Sequence, residues 1–334
     1  MSNTTTTTKL QAMYVQVQPG SAAERSYWIE SRAEPGAETG AILPGVSASP
    51  QEDLIFRGGK TIAQMQFKNF FLGGAPAWQE SDVTKINRTI TDIMRDPQLN
   101  NVLTQYFAGK KISCDPLPFQ FLNGNKPSVV TKGDLEQFVS ALFAKGVIPA
   151  SDLGATIFNF LLPSGTALTT DATLSGNLTD GKSNNLPQPD LTKGKGNSLH
   201  GLGGFHGSVK VKAGNSNATV YYSANVFSER LPDGTANGIP VFNESWKNVV
   251  ATLYHELCEF RTDPDVGEAN RTGNGELLGW VSRKGNEIGD FPLVAAGIRV
   301  FKEVALTNTS VTVPVQFQYS NAVHGPEGPI LKPH

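Results

Sequence analysis

The strongest chemical signal in this sequence is the run His255-Glu256-Leu257-Cys258-Glu259. On a helix, side chains at i and i+4 share one face about a turn apart, so His255 and Glu259 would reach a common ion. Two helix ligands at that spacing, with a Glu directly after the first, suit metal-assisted hydrolysis: the pair holds zinc and the intervening Glu activates water. Here the second ligand is a carboxylate, a harder donor than a second imidazole. Glu256 takes the general-base position. Beyond the helix, Thr262-Asp263-Pro264 forms a stop, and an acid- and glycine-rich loop runs through Glu276, Gly279-Trp280 and Glu287-Ile288-Gly289-Asp290. A loop of this kind returns carboxylates towards the helix, which makes Glu287 and Asp290 candidate ligands. Upstream, His206 sits within Gly204-Phe205-His206-Gly207, where the glycines permit close backbone approach. His206 is a further candidate ligand, and Phe205, Gly207 and Trp280 are candidate substrate contacts. The plain alternative for so short a motif is a polar helix side turned to solvent. Cys258 lies about 60° from His255 on the helical wheel and reads as a small buried apolar residue.

The elements that must position these groups follow from hydrophobic periodicity. Trp246, Val249, Val250, Leu253, Leu257 and Phe260 fall within about 60° of one direction on a helical wheel, which predicts a helix from about Ser245 to Thr262 with that side in the core. His255 and Glu259 lie on the opposite side with Asn248 and Thr252. Thr61–Leu72 predicts a buried strand bounded by glycine pairs, and Thr156–Leu162 a central strand. Ser81 is placed to cap a helix through Ile86, Ile90 and Met94, which Pro97 restarts and which ends at Tyr106-Phe107. Leu135, Phe138, Val139 and Leu142 have helical spacing up to Gly146. Further strands are expected at Ala12–Val17, Ser208–Lys212, Thr219–Phe227, Val294–Phe301 and Ser310–Tyr319. Pro314 demotes the last of these to an edge or broken strand. Residues 164–197 form the longest irregular stretch, a flap or an insertion. Interleaved strands and helices predict an α/β (α+β) chain: a tail over residues 1–10, then one mixed-sheet domain over 11–334 with long loops.

Composition narrows the function. The 334 residues carry 28 Lys and Arg against 30 Asp and Glu, so no basic excess exists to release counterions from phosphate, which excludes an electrostatic nucleic-acid binder. The near-neutral balance conceals a local excess. Between His255 and Asp290 there are eight acids and four bases, a concentration of oxygen donors beside one well-placed histidine. Two cysteines are too few for a disulfide framework. No segment approaches the ~20 apolar residues that span a bilayer. The Thr-rich start of the chain has neither the basic nor the apolar segment of a secretory signal.

The motif order also resembles the phosphate-induced (EXORDIUM-like) proteins of plants and their bacterial relatives. That family shows HELxE, a T-D/N-P turn, a GW or AW pair and a G-x-EIGDxC element in this order; here they are His255–Glu259, Thr262-Asp263-Pro264, Gly279-Trp280 and Gly285–Asp290. Gly204-Phe205-His206-Gly207 is similar to its GYH element, and Val315-Gln316 with Ser320-Asn321 to its closing VQ…WSN. The resemblance runs from about residue 58 to 322. Phe291 stands near where the family has a cysteine and Tyr319 where it has a tryptophan, so the disulfides of the extracellular relatives cannot form here as they do there. The resemblance implies a zincin-like helix with a site made of His255, Glu259 and the Glu287/Asp290 loop, Glu256 as base and His206 lining it. It defines the site more closely than any reaction.

Two functions remain open on the sequence. One is a zinc (Zn2+) hydrolase acting on a peptide or small polymer, with the 164–197 loop as lid and the strand at 204–212 positioning an extended substrate. The other is a binding or regulatory protein with a structural zinc or calcium (Ca2+) ion, calcium being held by Glu259, Asp263, Glu287 and Asp290.

Overall fold

The computed structural model describes residues 42–108, 110–176, 178, 196–227, 239 and 242–330. The expected strand at Ala12–Val17, the tail and much of the 164–197 stretch lie outside them. In chain order the described strands are β1 (Ile55–Phe56), β2 (Gln64–Leu72), β3 (Ser113–Pro116), β4 (Gln120–Leu122), β5 (Val129–Thr131), β6 (Thr156–Leu161) and β7 (Ala167–Thr169). They continue with β8 (Gly204–Ala213), β9 (Ser216–Asn225), β10 (Trp280–Val281), β11 (Phe301–Ala305), β12 (Thr312–Gln316), β13 (Gln318–Ser320) and β14 (Gly325–Glu327). The helices are α1 (Glu80–Arg95), α2 (Lys132–Ala144), α3 (Ser245–Thr262), α4 (Val266–Thr272) and α5 (Asp290–Ala296).

The main sheet has the order β3-β2-β6-β9-β8, with β4 also pairing with β2. Its pairings are parallel except for the β8–β9 hairpin, which makes the sheet mixed and places β8 at its edge. Alternation along each strand builds two apolar layers, because successive side chains point to opposite faces. Phe67, Phe71, Ile157, Leu161 and Tyr221 pack under α1 and α3. Phe70, Phe158, Phe160, Tyr222 and Phe205 pack under α2, against Leu135, Val139 and Leu142. The fold is therefore an α/β arrangement with helices on both faces of a mixed sheet.

One row interrupts the apolar pattern on the α1/α3 face. Asn69, Asn159, Ser223 and His206 are direct partners across four adjacent strands. The amide of Asn159 donates to Asn69 Oδ1 at 2.9 Å, and the Ser223 hydroxyl donates to Asn159 Oδ1 at 2.8 Å. Asn69 in turn donates to Asn87 on α1. Buried amides survive only when paired in this way, and the row ends at His206.

Several expectations change in the structure. The segment Val294–Phe301 is not a strand: α5 covers Asp290–Ala296, a 3-10 turn covers Gly297–Val300, and the strand starts only at Phe301. Pro292 is tolerated there because it lies in the first helical turn, where amide donors have no helical partner. The helix begun at Glu80 ends at Arg95, and Asn101–Phe107 is a separate 3-10 segment rather than a restart. Asp96 separates the two by accepting hydrogen bonds from Gln98 N and Leu99 N. The 164–197 stretch is not wholly irregular, since β7 pairs in parallel with β5. Asp134 closes a capping box with Thr131 at the start of α2 and also accepts hydrogen bonds from Ser175 N and Gly176 N. A bridge between Thr169 and Asn197 brings the two ends of the long connection together.

Candidate metal centre

α3 is buried along its length apart from Ser245 and Lys247. Its apolar side meets α1 and the sheet, as the periodicity predicts. Its polar side, which the plain alternative places in water, is enclosed as well. β8 and β12 pack against it. The segment that leads into α5 carries Glu287, Gly289 and Asp290 against the same side. His206, His255, Glu256, Glu259, Asp263, Glu287 and Asp290 are each at most 5% exposed. Among the described residues, no Lys or Arg forms an ion pair with any of these five carboxylates.

His255 is held in a defined orientation. Its Nδ1–H donates to Gln316 Oε1 at 2.7 Å, and the Gln316 amide nitrogen donates to Gly289 O. Gly289 O can only accept, so it fixes which way the amide lies, and the amide oxygen then fixes the proton on Nδ1. Nε2 is left to face Glu259 Oε1 at 3.1 Å, without the alignment of a hydrogen bond. An imidazole held through its other nitrogen, with its free nitrogen beside a carboxylate, is the arrangement expected of a metal-ligating histidine. Gly289 is required for this approach, because a Cβ there would lie 2.4 Å from His255 Nδ1 and 2.9 Å from Glu259 Oε1. Gly289 N also donates to Glu259 Oε1 at 3.3 Å.

His206 enters from the sheet edge. Its Nδ1 lies 3.2 Å from Glu256 Oε2 and 3.8 Å from Glu259 Oε2. Its Nε2 lies 3.2 Å from the Asp263 carbonyl and 3.6 Å from Glu287 Oε1. Gly204 lets β8 come this close to α3, since a Cβ there would sit 2.8 Å from Thr252 Cγ2 and 3.2 Å from Glu256 Oε1. Asp263 is anchored by Gly279 N, which donates to Oδ1 at 2.8 Å. Asp290 accepts a hydrogen bond from Glu287 N at 2.9 Å. The remaining oxygens, both of Glu287, Oδ2 of Asp263 and Oδ1 of Asp290, are buried without a hydrogen-bond partner.

The electrostatics express one deficit. Burial pushes Asp290 up to about 7, helped by the charge of Glu259. Burial likewise pushes Asp263 up to about 7 and holds Glu287 well above the usual carboxylate range. Burial raises Glu256 too, although His206 opposes the shift. At His255 burial disfavours the charged ring, yet Glu259, Glu256 and Asp290 outweigh it and push the group up to about 10. His206 is raised against its own burial by Glu256 and Glu259. Every shift favours added positive charge, from protons or from a cation. Two groups among the described residues have ligand atoms within 4.8 Å of one another: His206, Glu259 and Glu287, and His255, Glu256 and Glu259. The donors, their unpartnered atoms and their charge all fit a metal ion.

The candidate ligands His206, His255, Glu259, Glu287 and Asp290 and the expected base Glu256 thus gather in one place. The candidate substrate contacts do not. Phe205 points to the opposite face of the sheet, where its ring meets Tyr222. Gly207 shares that face, where a Cβ would lie 3.2 Å from Tyr222 Oη. Trp280 pairs with Phe56 in the β1–β10 ribbon, and its ring packs on Phe56 and Tyr106. His324 pairs with Asp53, and His334 lies outside the described residues. Gln316 was not among the expected site residues. Its one signal is its place in the Val315-Gln316 pair. Both cysteines are free and buried.

No protein-family model, curated protein or solved structure matches this chain. No described helix is long and apolar enough to cross a membrane.

Proposed function

We propose that this protein is a metal-dependent hydrolase acting on a peptide or small polymer, with zinc held by His255 and Glu259. The observation that carries this reading is the His255–Gln316–Gly289 relay, which leaves Nε2 facing Glu259 with no other partner. Glu287, Asp290 and His206 are the further ligands at hand. A bound zinc ion would polarise the scissile carbonyl and make water acidic enough to attack at neutral pH. Glu256, whose proton affinity is raised by burial, takes the proton from the attacking water and returns it to the leaving group. Gln316 holds the imidazole in the tautomer this needs. The motif order shared with the EXORDIUM-like proteins supports the same residues.

The test is elemental analysis of the purified protein beside His255→Ala. Stoichiometric zinc that is lost in the variant supports the reading, and Glu256→Gln should then abolish hydrolysis of a peptide library while zinc stays bound. Calcium, or no metal, overturns it.

Complete burial of the ligands favours a second reading, a structural ion in a binding protein, because a catalytic ion needs a position open to substrate. Under that reading, Glu256→Gln leaves every measured activity unchanged and removal of the ion unfolds the protein.

A further inference from the structure

Glu259 stands between two donor groups rather than within one. Its Oε1 faces His255 Nε2 at 3.1 Å, and its Oε2 faces His206 at 3.8 Å. The two three-residue groups share Glu259 and no other residue. Each has donors of its own. On one side are the free His255 nitrogen and Glu256, with Asp290 Oδ1 a further buried oxygen that has no hydrogen-bond partner. On the other are His206 and Glu287, the latter 1% exposed with both carboxylate oxygens unpartnered. Asp263 Oδ2 is a further unpartnered buried oxygen, and the Asp263 backbone carbonyl lies beside His206.

Charge leads to the same conclusion. Five buried carboxylates face two histidines, with no Lys or Arg paired to them among the described residues. With all five carboxylates ionised and both imidazoles neutral ligands, one divalent ion leaves a buried excess of −3, and two ions leave −1. An excess of three buried charges is far costlier than one, because uncompensated charge is poorly solvated in the interior.

We infer that the centre holds two divalent cations bridged by the Glu259 carboxylate, one on the His255 side and one on the His206–Glu287 side. Two-metal hydrolytic sites place their ions about 3.5–4 Å apart, a spacing that one carboxylate spans by giving an oxygen to each. The inference rests on the proposed ion at His255 and Glu259 and adds a second. Glu256 belongs to the His255 group and lies 3.2 Å from His206, so the base sits beside both positions.

The experiment strips the full-length protein with a chelator and titrates it with Mn2+. Bound metal is measured by elemental analysis and the spin state by electron paramagnetic resonance. The expected result is two Mn2+ per chain at saturation with an exchange-coupled spectrum. Glu287→Gln and His206→Gln should each lower the stoichiometry to one and restore the six-line spectrum of an isolated ion. Saturation at one ion with an uncoupled spectrum overturns the second site while leaving the His255–Glu259 site intact. Absence of any bound ion overturns both. The wild-type titration decides the matter alone if a variant fails to fold.

Discussion

At the scale of single residues, Gln316 carries the sharpest prediction. It touches no candidate substrate position, yet it fixes the proton on His255. Removing such a partner of a ligating histidine typically weakens metal binding 10–100-fold. Gln316→Leu should therefore lose about that factor in zinc affinity, measured by competition with a chromogenic chelator. Gln316→Glu, which keeps the acceptor for Nδ1–H but loses the donor to Gly289 O, should fall between the two; equal affinity for wild type and the Leu variant would remove Gln316 from the site. A second prediction concerns Cys114. Burial pushes its thiol up to about 11, well above the ordinary thiol range. The folded chain thus keeps a proton that the unfolded chain releases, so the associated stability is full below pH 9 and is lost as pH rises towards 11. Alkylation of the native protein by iodoacetamide should be negligible at pH 8, and labelling there at the rate of the unfolded chain would contradict this. The candidate ligands were legible at this scale because spacing and residue type announce them. Gln316 was not, since one amide near the end of an apolar strand has no chemistry until its partners are known.

At the scale of elements, α3 reverses the usual meaning of an amphipathic pattern. Its polar side faces β8, β12 and the segment leading into α5 rather than water. Periodicity located the helix and its apolar side correctly, but periodicity reports only that two sides differ. The strand assignments were right in β2, β6 and the β8–β9 hairpin. They failed at Val294–Phe301, where an apolar run fits a short helix and a strand equally well. The row Asn69–Asn159–Ser223 could have been seen as single polar positions in otherwise apolar strands. Its pairing needs the register, which no single strand encodes. Asn159→Leu removes the partner of both the Ser223 hydroxyl and Asn69 Oδ1. Leaving such groups buried and unpaired costs roughly 1–3 kcal/mol each. The urea midpoint should fall accordingly, whereas an unchanged midpoint would mean that water replaces the lost bonds.

At the scale of the whole molecule, the centre joins an edge strand, a buried helix, the loop into α5 and the late strand β12. Any ion bound to the folded chain alone stabilises it by mass action, by ~2.7 kcal/mol when free ion exceeds Kd 100-fold. Treatment with EDTA should therefore lower Tm by several degrees and re-addition of zinc should restore it, read by calorimetry. A Tm indifferent to both would mean that protons alone neutralise the carboxylates.

The bridge between Thr169 and Asn197 and the late position of Gln316 together set an order of assembly. His206 reaches the site only after the long connection has closed and the β8–β9 hairpin has docked, and His255 is oriented only once β12 is in place. Contacts between such distant segments form late, because the loops between them must close first. During synthesis, the acids of α3 are exposed long before the strand that completes their surroundings has been made. A chain stalled before residue 316 would lack the strand that orients His255 and would leave these carboxylates uncompensated.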